Sequence, residues 1–405
     1  MFLFRDWDTP PLGFTRKRLI LALARELEKE NIPILCLDRP VCPLVGLLRQ
    51  RKKLWEKLTG RRGLKQLSPT LFLFTPWVIL HEKLAVRFTP AAKMNRFLVR
   101  RQVRNRLRRL GASSRVVSWV FHPYQRDMIG ALGEDFKIYE CYDDYTAPNY
   151  VRPDKIPWVK QLEEQVLARV DLVFTTSQAL YDMCKRKNGN THLVPNGVDY
   201  ELFSQASGDM PLPARLRSVK PPRIGFLGKI NLKLDFELIC FLASSRPDWN
   251  FVFLGPNEYD QEGVTERRVE EVKTLKNIHL MGVVPYEDIP AYMARFDACF
   301  IPYVRSELTH AIYPLKLNEY LATGKPVITT NFADLSELRD VITIAEGKEA
   351  LFFERAQRVE KAIEESLKEW NDDRSRRAQE IARKNSWDNR ATLIHQTINQ
   401  NLASF

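Results

Sequence analysis

The stretch "AIYPLKLNEYLATGKPVITT", Ala311 to Thr330, holds two patterns in direct succession. Leu317, Tyr320 and Leu321 recur at helical spacing, Pro314 stands at the start, and Gly324 supplies a stop signal. "KPVITT" then reads as a short, β-branched, buried strand. A helix that leads straight into a core strand is the unit of a parallel α/β sheet.

Outward from this stretch the same alternation continues. Upstream lie strands "RIGFLG" (223–228), "NFVFLGP" (250–256), "NIHLMG" (277–282) and "ACFIPY" (298–303), with helices "KLDFELICFLASS" and "YEDIPAYMARF" between them, and "VITIAE" (341–346) follows. A first series precedes these: helix "RKRLILALARELEKE", then "IPILCLD" (32–38), "SRVVSWVF" (114–121), "FKIYECY" (136–142), "LVFTTS" (172–177) and "THLVPNG" (191–197). The polar, proline-rich "SQASGDMPLPARLRSVKPP" (204–222) separates the two series and reads as a linker. The expected fold is therefore α/β, with two Rossmann-like domains whose parallel sheets face each other across a cleft. The expected limits are 1–203 for the first domain, 204–222 for the linker and 223–385 for the second. Residues 386–405 should form a terminal helix returning toward the first.

The bulk composition agrees. A chain of 405 residues exceeds one ordinary core, and 44% apolar with 28% charged residues marks a globular protein. The longest apolar run, "LFLFTPWVIL" (71–80), is too short for a membrane span of about 20 residues. "MFLF" is cut short by "RDWD", so no signal peptide is read. The six scattered cysteines form no CxxC pair and read as reduced core residues of a cytoplasmic protein. No metal site is expected from these spacings.

Lys316 and Glu319 are the chemical puzzle of the opening stretch. A cation in the first helical turn opposes the helix dipole. It makes sense if an anion comes to it, because the helix start at Pro314 offers free N–H groups. Glu319, one turn on, can accept two hydrogen bonds from a diol such as a ribose. Lys316 with the helix start can thus hold a diphosphate while Glu319 holds the sugar of a nucleotide. The plain alternative is an exposed ion pair three residues apart, worth about 0.2–0.5 kcal/mol.

At this point the chain resembles a known family. "PLKLNEYLATGKPVITT" is similar to the nucleotide-sugar motif of GT-B glycosyltransferases, especially the family-4 and teichuronic-acid-type bacterial enzymes. "LVPNGVDYELF" (193–203), "VDLVFTTSQAL" (170–180), "IGFLGKIN" (224–231), "WNFVFLGP" (249–256), "YECYDDY" (139–145) and the segment 6–40 resemble the same group in order, over nearly the whole chain. The resemblance implies sugar transfer from a nucleotide-sugar donor without a bound metal or other cofactor. It assigns Lys229, Lys233 and Lys316 to the leaving diphosphate, with Tyr313, Pro314 and Glu319 at the donor. Fixed cations stabilise a departing diphosphate because its charge grows in the transition state. The family often has two glutamates eight positions apart. Glu319 matches the second, but Ala311 stands at the first place, and Glu307 is the nearest acid upstream. Asp143 and Asp144 end a first-domain strand where the family places a residue near the acceptor hydroxyl; a turn-capping role is the alternative. His122, at the end of the preceding strand, and Asp6 and Arg16, at the first βα turn where they can face the acceptor or the donor phosphate, are further candidates. Asn196 and Gly197 read as a tight turn between the domains.

Charge is unevenly spread. Of the net +12, residues 49–115 carry 19 cations against two acids, or +17, leaving −5 for the rest. "LLRQRKKLWEKLTGRRGLKQL" and "KMNRFLVRRQVRNRLRRLG" mix cations with apolar residues at helix-like spacing, as interfacial helices on anionic lipid do. No nucleic-acid motif accompanies them, so nucleic acid is not the expected partner. The reading is a glycosyltransferase, peripheral on the inner membrane face, acting on a lipid-linked or polysaccharide acceptor. Its rivals are a nucleotide-sugar epimerase of the same fold and a catalytically silent, membrane-bound binding protein. A dinucleotide oxidoreductase is disfavoured because "GFLGKIN" lacks GxGxxG.

Overall fold

The computed structural model describes residues 1, 7, 16–38, 40–42, 64–79, 89–111, 115–147, 151–260, 262–345 and 351–403. It divides into two compact units, one of Met1–Val194 with Arg390–Phe405, the other Pro195–Asn389. The sequence pattern had put the first boundary nine residues later, at 203 (203 − 194 = 9).

In the first unit, α1 (Arg16–Glu28) precedes β1 (Ile34–Leu37), β2 (Leu64–Gln66), β3 (Leu71–Phe74), α2 (Thr89–Arg109), β4 (Val117–Val120) and β5 (Phe136–Cys141). Next come α3 (Ile156–Leu167), β6 (Leu172–Thr175), α4 (Gln178–Lys185) and β7 (Thr191–Leu193). The strands β4-β5-β6-β7 form a parallel sheet in that order, and β1-β3-β2 form a second group. Nearly every residue of β1, β5 and β6 is buried, as expected of parallel strands covered on both faces.

The basic region departs from the helical expectation. Leu64–Gln66 is a strand, antiparallel to β3, and β3 in turn pairs in parallel with β1. The apolar run at 71–74 is therefore core sheet, with Leu71, Leu73 and Phe74 buried, and it has no β-branched residue to advertise a strand. The following helix α2 buries Val99 and Val103 in the unit's core. Its Gln102 bonds both backbone groups of Trp77, and the Arg106 guanidinium lies 5.1 Å from the centre of the Phe74 ring. Residues 43–63, including Trp55 and most of the other basic run, lie outside the described residues.

The second unit contains β8 (Arg223–Leu227), α5 (Phe236–Ser245), β9 (Asn250–Leu254), α6 (Val264–Lys273), β10 (Ile278–Gly282) and α7 (Ile289–Met293). It continues with β11 (Ala298–Ile301), α8 (Glu307–His310), α9 (Leu315–Ala322), β12 (Val327–Thr330), β13 (Thr343–Ala345), α10 (Phe352–Glu369) and α11 (Asp372–Lys384). The last helix, α12 (Trp387–Ala403), starts in this unit and ends in the other. All six strands are parallel, in the order β10-β9-β8-β11-β12-β13. The order reverses between β8 and β11, and ligands of such sheets bind at the strand ends beside that switch. The proline-rich segment 204–222 is not a loose tether. Ala206, Leu216 and Val219 are buried in the core of this unit.

Candidate functional site

Three neighbouring strands of the second unit end in the same way. "GFLG", "VFLG" and "HLMG" place Gly228, Gly255 and Gly282 after β8, β9 and at the end of β10, with φ of 137°, 142° and 67°. Only glycine adopts such angles readily. Gly228 N donates to Leu254 O, and Gly255 N to Gly282 O, so the strand ends form one layer of backbone. A Cβ on Gly255 would lie 2.1 Å from Gly228 O.

The opening helix, α9, reaches this layer. Pro314 precedes its first turn with extended backbone, and Gly324 ends it at φ 70°. Leu227 N donates to Tyr320 Oη at 2.7 Å, which fixes α9 to the end of β8. The fully buried Asn318 donates to Asn196 O at 2.7 Å and accepts from Asn385 Nδ2 at 3.0 Å, while Asn196 Nδ2 donates to Tyr313 O at 3.0 Å. Asn196 thus anchors the start of α9. Gly197 serves close packing, since a Cβ there would lie 2.8 Å from the Trp387 ring.

Lys316 is not half of an exposed pair. Its side chain is 8% exposed. Nζ donates to Tyr303 Oη at 2.9 Å and lies 3.7 Å from the centre of the Phe226 ring. A Cβ on Gly228 would come within 2.7 Å of it. Tyr303 follows β11 and Gly228 follows β8, so the amine occupies the switch point of the sheet. Among the described residues no carboxylate forms an ion pair with it. Burial pushes its pKa well below the ordinary lysine value; Glu319 works against that and Lys233 adds to it. The magnitudes agree with the direction. A cation over an aromatic ring gains about 0.5–2 kcal/mol, while the effective cost of burying a charge is several kcal/mol.

The other predicted donor residues lie in the loop after β8 and on α8 and α9. Lys229 pairs with Glu258, whose second oxygen accepts from Asn231 Nδ2 at 2.8 Å. Burial acts against ionisation of Glu258, yet Lys229, Asn231 and Lys233 together hold its carboxyl below the usual range. Lys233 O accepts from Val304 N, tying the loop after β8 to the segment after β11. Glu319 is half-buried on α9, one turn from Lys316. Glu307 is exposed in the first turn of the four-residue α8, which Ser306 caps and after which Ala311 stands.

The first-unit candidates fall at the ends of β4 and β5. Asp144 Oδ1 accepts from Thr146 N at 2.8 Å and Thr146 Oγ1 at 2.6 Å, the turn-capping arrangement. Asp143 Oδ1 accepts from Asp144 N. His122 Nδ1 caps the turn that begins at Pro123, and the ring packs 4.2 Å from Tyr145, centre to centre. Arg16 is buried and forms an ion pair with Glu140, a residue that the sequence showed only as a polar interruption of an apolar strand. Its guanidinium lies 4.9 Å from the centre of the Tyr142 ring. Asp6 lies outside the described residues. Tyr303 and the three strand-end glycines were missed as site residues, although the repeated "LG" and "MG" endings were visible.

Residues 221–369 match the family model described as "Glycosyl transferases group 1". A Bacillus subtilis (strain 168) protein, provisionally named a teichuronic acid biosynthesis glycosyltransferase, TuaH, is 33% identical over 214 residues. That match covers 51% of this chain and 53% of the relative, so the chain spans about half the length of the curated relative it matches. Among solved structures, sucrose-phosphate synthase of Thermosynechococcus elongatus superposes with a TM-score of 0.68 at 15% identity, covering 96% of this chain and 94% of that one. Anabaena HepE, solved with UDP and glucose, gives 0.62 at 16% identity, covering 100% and 99%. The fold is GT-B, and the sheet bearing Lys316 lies within the stretch that matches the group 1 glycosyl transferases.

Proposed function

We propose that this chain, with its group 1 glycosyl transferase region and GT-B fold, transfers a sugar from a nucleotide-sugar donor to a lipid-linked or cell-surface polysaccharide acceptor. The observation that carries the reading is the buried Lys316 amine at the sheet's switch point beside Gly228, which forms an ion pair with no carboxylate among the described residues. A diphosphate seated on the strand-end backbone supplies the anion this amine lacks, with Lys229 and Lys233 at its edge. Those cations then stabilise the departing nucleoside diphosphate. Glu319 holds the ribose, and Glu307 is the acid nearest the donor sugar's place. Asp143 and Asp144, at the end of β5, are the candidates for the acceptor hydroxyl. The relative provisionally linked to teichuronic acid synthesis and the neighbour solved with UDP and glucose support an envelope polysaccharide and a UDP-sugar.

The test is release of free nucleoside diphosphate from nucleotide sugars, with and without membrane acceptor and with EDTA. Acceptor-dependent release that survives EDTA is expected. Binding with no release in any condition would favour the silent binding protein, and interconversion of donor sugars the epimerase. Glu319→Gln should weaken donor binding by about 1.5–3 kcal/mol by calorimetry, the range for a charge-assisted hydrogen bond.

The proposed site of action is an anionic membrane surface. Among the described residues no helix is long and apolar enough to cross a membrane. The outward face of α2 bears Lys93, Arg100, Arg101, Arg108 and Arg109 around the exposed Met94 and Phe97, and α2 contains no acid. Such cations contribute about 1 kcal/mol each at an anionic leaflet. Changing Arg100, Arg101, Arg108 and Arg109 to Gln should abolish co-sedimentation with anionic vesicles. Arg104 is spared, since its Nε donates to Leu132 O. Equal binding to neutral and anionic vesicles would remove the role of the cations, and binding to neither would remove the membrane from the proposal.

A further inference from the structure

We infer that Lys316 stands as a neutral amine in the free protein and takes up a proton from solution when the diphosphate of a nucleotide sugar binds. The inference rests on the donor-site reading above and adds a proton to it.

The geometry leaves the charged form poorly served in the free protein. The amine is enclosed by the Phe226 ring beneath, the Tyr303 ring and hydroxyl beside it, and the Gly228 backbone above. A phenol oxygen and two ring faces are weak substitutes for water around an ammonium group. The titratable groups on the elements around the amine are Tyr303, Tyr320, Glu319 and Lys233. Tyr303, after β11, has its own ionisation pushed up by burial, so it remains a neutral phenol across the physiological range. Tyr320, on α9, is likewise buried and neutral. Glu319, also on α9, is the one carboxylate that acts on Lys316, and Lys233, in the loop after β8, opposes it. Burial, with Lys233 acting in the same direction, prevails over Glu319.

A diphosphate reverses this balance. It brings two negative charges to the glycine layer on which the amine already lies, and a nearby anion favours the charged lysine. The proton comes from bulk solvent, and the amine becomes an ammonium paired with a phosphate oxygen. By linkage, the lysine of the complex has a higher pKa than that of the free protein. Donor affinity is then highest at low pH. It falls as pH rises through the window between the free and bound values, by up to tenfold per pH unit. The arrangement also makes the charge conditional. The ammonium that stabilises the leaving group exists only when a leaving group is present.

Two measurements test this. The first is NMR titration of the free full-length chain carrying 13C-labelled lysine. One ε-carbon resonance should titrate well below the other lysines and be absent from Lys316→Met. The second is calorimetry with UDP-glucose or GDP-mannose between pH 6.5 and 8.5, in phosphate and in Tris. The diphosphate of a nucleotide sugar has no group that titrates in this range. A buffer-dependent enthalpy should therefore report protein proton uptake of up to one per ligand. An ordinary lysine titration for every resonance, with nucleotide-sugar binding intact, would overturn the neutral amine while leaving the donor site standing. A displaced resonance with no binding of either nucleotide sugar would overturn the donor reading, and the uptake step with it.

Discussion

Among the described residues each unit buries one lysine or arginine, and the two are treated oppositely. Arg16, in the first unit, is 4% exposed and meets the buried carboxylate of Glu140. Lys316, in the second, is 8% exposed and meets a phenol, two aromatic rings and glycine backbone. Arginine holds its charge in nearly any surroundings, so a buried arginine needs a permanent counter-ion. Lysine can give up its proton, so a buried lysine can wait for one. A paired buried cation is a structural element, and an unpaired one is an invitation to a ligand. On this contrast Arg16, a sequence candidate for the acceptor or the donor phosphate, belongs to the frame of the first unit.

The largest effect should come from breaking the pair. Arg16→Met or Glu140→Leu alone should destabilise the protein by about 3–5 kcal/mol, because either leaves a charge buried without its partner. The double variant should recover most of that loss in urea unfolding. Burial raises the Glu140 pKa and Arg16 opposes the rise, so the pair is under electrostatic tension that an apolar replacement removes. If each single change costs under about 1 kcal/mol, Arg16 is not a framework residue and the contrast fails.

Next comes Lys316→Met, with the opposite sign. The unfolded chain binds a proton at this lysine that the folded chain does not. Stability therefore rises with pH from the lowered folded pKa up to the ordinary lysine value, and is diminished below that window. Removing the amine should stabilise the protein at neutral pH, with about 2–4 °C gained in Tm per kcal/mol, and should flatten this pH dependence. Donor binding should be lost at the same time. A drop in Tm with binding retained would show Lys316 to be an ordinary packing residue.

The smallest effect belongs to the exposed counterpart, Lys229 and Glu258. Their side chains are 33% and 47% exposed, so Glu258→Gln should change stability by no more than about 1 kcal/mol. Its use is to sharpen the comparison: freeing Lys229 should strengthen nucleotide-sugar binding at low salt, and unchanged calorimetric affinity would remove Lys229 from the donor site.

The sequence displayed the second unit better than the first, for physical reasons. Three of its strands are closed by glycine, and α9 carries both its proline start and its glycine stop. The first unit hides more. β3 lies within a basic region whose cations suggested helix, and β2 has only three residues. The segment 204–222 looked like a linker because prolines and polar residues outnumber its anchors, yet Ala206, Leu216 and Val219 suffice to bury it. At the site, Lys316 and Glu319 stood out because they are charges inside an apolar helix. Tyr303 did not, since an aromatic at a strand end is equally a core residue until the sheet order places it beside β8. The partnership of Arg16 and Glu140 spans 124 residues and becomes visible only once α1 and β5 are in place.

The contact between Gly255 and Gly228 bears on how this protein can change over time. A methyl group on Gly255 would force the two loops apart, because its Cβ would fall 2.1 Å from Gly228 O, and one on Gly228 would displace the Lys316 amine, 2.7 Å from its Cβ. The residues just beyond are under no such constraint: Leu232 and Tyr259 are exposed, and Lys229 and Glu258 are partly so. Among descendants of this chain, new donor preferences should therefore arise in the segments after these glycines, while the glycines themselves stay as they are.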